Sequence, residues 1–119
     1  MIYVVHLYEC TPERSSLFAS SFDHDGLFAA IGKHLTGYLH TQLRQHSSRP
    51  QTYLAIEFWL TEDDYHRARR SNAVRAREEW LRAITVTQVY LGIFLPRMEG
   101  SDENAALIGM PASSSELRS

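Results

Sequence analysis

Residues 53–60, YLAIEFWL, constrain the fold most: they are aromatic and aliphatic with a single charge, which suits a strand inside a sheet rather than at its edge. A helix signal follows at once. Thr61 is placed to cap it, Asp64 stands in the capping-box position, and Glu62 and Asp63 put negative charge at the positive end of the helix dipole. From there Tyr65, Ala68, Asn72, Ala76, Trp80 and Ala83 recur at helical spacing, which predicts one continuous helix with this stripe inward. Large rings at the ends of the stripe bracket small residues. Such a helix either lies close on its sheet or roofs a hollow.

Residues 2–9, IYVVHLYE, read as a strand that is apolar on both faces, with Ile2, Val4 and His6 on one and Tyr3, Val5 and Leu7 on the other. Residues 13–34 have helical character interrupted between Ser20 and Gly26. The second half is expected to be the better helix, with Asp23 or Asp25 as its cap. Residues 38–45 form a second strand, Ser47 to Pro50 a turn back into the 53–60 strand, and residues 85–95 a fourth strand ended by Pro96. The order β-α-β-β-α-β predicts an α+β, ferredoxin-like fold, a four-stranded antiparallel sheet with both helices on one face. Strands apolar on both sides require cover for the other face as well. A second copy of the chain is the simplest source, so a homodimer is expected, with Leu91 and Ile93 in its interface. Residues 1–97 make the domain. Residues 98–119, rich in Gly, Ser, Asn and Ala, are expected to be a disordered tail.

The formal charge of −2 over 119 residues gives no case for a nucleic-acid partner. Six arginines do cluster between positions 67 and 82, but Asp63 to Arg67 and Glu78 to Arg82 stand in favourable i, i+4 order, as on a solvated helix face. Cys10 is the only cysteine, which excludes an internal disulfide and suits a reducing, cytoplasmic setting. No apolar run approaches the ~18 residues of a membrane span, and no membrane partner is expected. The histidines show no HxH or HExxH spacing, so no metal site is expected, and G-x-G-x-x-G, P-loop and G-x-S-x-G patterns are absent.

Strand alternation puts Glu57 and Trp59 on one face with Tyr53 and Ala55, within reach of His6 on a neighbouring strand. A carboxylate beside an imidazole can set its pKa, and the pair can take a proton from a phenol or an activated carbon. His6 and Glu57 are therefore the candidate catalytic residues. Glu57 paired with an arginine is the structural alternative. Trp59, Tyr65, Asn72 and Trp80 are the candidate substrate-binding residues, around an apolar slot suited to a flat, small aromatic molecule; as packing residues the aromatics would simply fill the core.

Three pieces carry a resemblance: Gly37-Tyr38 followed by Thr41 and Leu43, the run IEFWLTEDDY with Trp59 and Tyr65, and Tyr90-Leu91-Gly92 with Phe94. Over roughly residues 2 to 95 the chain resembles the antibiotic biosynthesis monooxygenase family of the dimeric α/β-barrel superfamily. The resemblance implies a homodimer with sheets face to face and a pocket between sheet and helices. It also implies a possible cofactor-free oxidation of aromatic, polyketide-like or quinol substrates. Trp59 and Tyr65 match a tryptophan and a tyrosine implicated in that family. The asparagine position is Ala55, and Arg77, Glu78 and Glu79 stand near the arginine position. The haem-degrading branch fits worse, because its iron-holding histidine would fall between Ala76 and Trp80. No cofactor is expected. A noncatalytic binding protein on the same dimer is the alternative.

Overall fold

The computed structural model describes residues 1–97, so the tail expected over 98–119 lies outside the described residues. Eight elements follow in order: β1 (Ile2–Cys10), α1 (Pro12–Ser20), α2 (Leu27–Gly32), β2 (Tyr38–Gln45), β3 (Thr52–Trp59), α3 (Glu62–Arg69), α4 (Asn72–Ile84) and β4 (Thr85–Phe94). The strands form one antiparallel sheet in the order β2-β3-β1-β4, which places the apolar β1 and β3 inside it. Helices cover one face of this open sheet. The fold is the expected ferredoxin-like α+β arrangement, with each helical layer split in two.

Alternation along the strands divides the side chains as expected. Ile2, Val4, Tyr8 and Cys10 of β1, with Tyr53, Ala55, Glu57 and Trp59 of β3, are buried toward the helices. All but Glu57 join two apolar clusters. One gathers Tyr8, Tyr53 and Ala55 with Phe18, Phe28, Leu81 and Ile84, and the other gathers Val4 and Trp59 with Tyr65, Ala68 and Val74. On the opposite face Tyr3, Val5, Leu7, Leu54, Ile56 and Phe58 are only half-buried. Ile93 pairs with Val4 and packs on the helix side, so its expected place in an interface on the open face is corrected. Leu91 is the extra residue of a bulge between Val5 and His6, and Gly92 beside it holds φ at 126°, a conformation that favours glycine.

The helix expected to run on through Ala83 is in fact two. Thr61 caps α3 by accepting from the Asp64 amide at 3.1 Å, as its sequence signal predicts. Ser71 then ends one helix and starts the next: its hydroxyl donates to the Ala68 carbonyl at 2.7 Å and accepts from the Val74 amide at 3.2 Å. The break resets the helical phase. Val74, Leu81 and Ile84 form the buried face of α4, while Asn72, Ala76 and Ala83 are exposed. In the first helical layer α1 is the longer helix, contrary to expectation, and α2 begins after Gly26 as N-cap, with no side-chain cap from Asp23 or Asp25.

Candidate active site

The two clusters leave a polar seam between them. The β1–β3 register sets Val4 opposite Glu57 and His6 opposite Ala55, with Glu57 directed under α4. Arg77 lies three residues after Val74 and four before Leu81, so it falls on the buried face of its helix. Its Nη1 meets Glu57 Oε2 at 2.9 Å, and both side chains are almost buried, 11% and 12% exposed. The other carboxylate oxygen, Oε1, accepts from Trp59 Nε1 at 2.9 Å. Both oxygens are thus engaged. Arg77 Nε, by contrast, is buried with no acceptor, an uncompensated donor of the kind that folded proteins rarely keep without a use.

A cavity of about 210 Å³ opens at this seam, lined by His6, Tyr8, Glu57 and Arg77, with Tyr90 and Phe22 among its other walls. The bulge at Leu91 brings Tyr90 opposite His6, where the two rings lie 5.3 Å apart, and Tyr8 stacks on the imidazole at 5.7 Å. Burial lowers the His6 pKa below 6.5; Glu57 opposes this in part and Arg77 reinforces it. Imidazole is therefore neutral in the folded protein near pH 7. Burial also raises Tyr8 well above the usual phenol range, so it is a neutral hydrogen-bonding group. For Arg77, burial works against the charge, but Glu57 outweighs it and the pKa is raised. The seam therefore combines a fixed cation, its carboxylate counter-ion and an uncharged base. Among the described residues no three His, Cys, Asp or Glu side chains are grouped to hold a metal ion.

A sequence profile of the antibiotic biosynthesis monooxygenase family matches residues 1–80. The chain belongs to this family. Solved structures with the same fold include SnoaB, a cofactor-independent oxygenase from Streptomyces nogalater, at 22% identity and a TM-score of 0.65, covering 82% of this chain and 93% of that one. A conserved protein from Methanosarcina mazei Go1 aligns at 17% identity and a TM-score of 0.64, over 81% and 92% of the two chains. Rv0793 from Mycobacterium tuberculosis aligns at 11% and 0.62, over 82% and 96%. At these identities the likeness is one of fold. No curated protein matches the chain.

In this member of the antibiotic biosynthesis monooxygenase family, the structure brings His6 and Glu57 to one cavity. Trp59 is one hydrogen bond behind it, 1% exposed and held edge-on between Tyr38 and Tyr65 at 5.3 and 5.7 Å. Tyr65 is buried in the same cluster, its hydroxyl pushed up to about 12 by burial. Trp80 packs against the edge of Phe28 at 5.8 Å. Asn72 is exposed in the first turn of α4, away from the cavity, because the break at Ser71 turns it outward. Sequence reading did not choose Arg77 from its neighbours and missed Tyr8 and Tyr90. The available signal for Arg77 was Ser71 as a helix start, from which Val74, Arg77, Leu81 and Ile84 form one stripe.

Proposed function

We propose that the chain is a cofactor-independent monooxygenase acting on a small aromatic substrate of phenol, quinol or polyketide-ring type. The observation that carries this reading is that a neutral His6 and the paired Arg77 and Glu57 line one cavity. Glu57 has both oxygens occupied, so His6 is the base of the expected pair and Glu57 holds Arg77 and Trp59 in place. In the proposed reaction His6 takes the acidic proton of a ring O–H or of an activated ring CH₂. The Arg77 guanidinium in the cavity wall stabilises the negative charge of the resulting anion. This anion passes an electron to O₂, and the radical pair combines at carbon to give a hydroperoxide. Loss of water then leaves a carbonyl. The balance is CH₂ plus O₂ giving C=O plus H₂O, with the substrate supplying every electron.

Incubating the protein with 2-tetralone and with one- and two-ring quinols while recording oxygen uptake tests the reading. One O₂ should be consumed per carbonyl formed, and His6→Ala should lower kcat by roughly 10²-fold or more. Ala55, which offers no amide at the family's asparagine position, favours a second reading: a noncatalytic small-molecule binding protein. Tight binding with no oxygen uptake across the panel would select it. We further propose that two chains pair through the half-buried sheet face, where Val89, Leu91 and Phe94 remain 41–49% exposed in one chain.

A further inference from the structure

A second hollow, about 520 Å³, lies between α2 and β2, with Phe28, Leu35, Tyr38 and Leu39 in its walls. It shares only Phe22 and Thr41 with the inner cavity. Thr41 is fixed in β2, its hydroxyl 2.7 Å from that of Tyr38. Phe22 instead stands on the connection between α1 and α2. Its ring is steadied by Phe18 at 5.0 Å and by the edge of Phe28 at 4.7 Å, and its amide by the Ala19 carbonyl at 3.1 Å. Phe22, on this short connection, and Thr41 thus stand where the two spaces adjoin.

We propose that Phe22 sets the upper size limit of the substrate. An apolar cavity of about 150 Å³ takes benzene, so the inner space of about 210 Å³ suits one ring with substituents or two fused rings. It falls short of the ~300 Å³ at which sites for larger ligands begin. Three fused rings would extend past Phe22 toward the outer hollow. Truncating this side chain joins the two spaces and admits them. The proposal rests on the inner cavity being the substrate site.

The test is calorimetry in the absence of oxygen with benzene-1,4-diol, naphthalene-1,4-diol and anthracene-1,4-diol, on wild type, Phe22→Ala and Phe22→Leu. Phe22→Leu keeps an apolar contact with Phe18 and Phe28, and melting curves establish that each variant is folded. Wild type should bind the two smaller diols and the three-ring diol about tenfold more weakly or worse. The variants should remove that penalty selectively, read as a fall of about tenfold in the ratio of two-ring to three-ring affinity. Equal affinity for two and three rings in wild type, or an unchanged ratio in a folded variant, would overturn the role of Phe22 while leaving the site assignment standing. Failure of all three diols to bind wild type would overturn the site assignment and the size limit together.

Discussion

His6 is pulled in two directions, by burial that disfavours its proton and by Glu57 that favours it, and burial prevails. Because its folded pKa lies below 6.5, the unfolded chain takes up a proton first as pH falls. Stability linked to this residue is therefore complete above 6.5, declines as pH drops below it, and levels off beneath the folded pKa. Urea titrations of wild type and His6→Gln at several pH values should show this slope in wild type only. In the enzyme reading, the acidic limb of kcat/KM should also lie below 6.5, with no loss of rate toward pH 8 from this group. Arg77 and Glu57 make a different prediction. Glu57→Gln keeps an acceptor for Trp59 but leaves a buried guanidinium unpaired, which should cost about 3–5 kcal/mol in denaturant unfolding. Arg77→Met should cost a similar amount, and the double variant clearly less than the sum. Strand alternation made Glu57, Trp59 and His6 legible in the sequence. Arg77 was not, because an arginine among five others reads as surface until the phase of its helix is known.

At the scale of elements, strand limits were legible to within a residue or two, since Pro12, the Ser47 to Pro50 turn and Pro96 stop β-pairing for reasons independent of context. Helix phase was not. Tyr65 and Ala68 fit the expected stripe, and extending it through Ser71 carried Asn72 and Ala76 inward, although the hydroxyl of Ser71 bonds on both sides of a break. The bulge that aims Tyr90 at His6 depends on sheet pairing and has only Gly92 as its local trace. Ser71→Ala removes a helix cap and should lower stability by about 1 kcal/mol, measured by urea unfolding. Since this cap fixes the start of the helix that carries Arg77, ligand affinity should weaken as well, whereas Thr61→Ala should lose similar stability with little change in binding.

For the whole molecule, the uncovered sheet face is the main demand left by one chain. Sedimentation at micromolar concentration should find a dimer, with roughly 1,500 Å² or more buried. Val89 pairs with Leu7 and is 41% exposed in one chain, so Val89→Asp should leave the fold intact and give monomers, because an unpaired carboxylate in an apolar interface costs several kcal/mol. A dimer in that variant would exclude this face. Within a single chain, the division of the core into two clusters has an optical consequence. Trp59 belongs to one cluster and Trp80 packs against the other, and these are the only two tryptophans. Indole emission responds to local water and charge, so Trp59→Phe and Trp80→Phe each leave a fluorophore that reports one half of the core. If the polar seam lets the halves melt separately, the two variants will show different unfolding midpoints by fluorescence, each out of step with the loss of helix signal in circular dichroism.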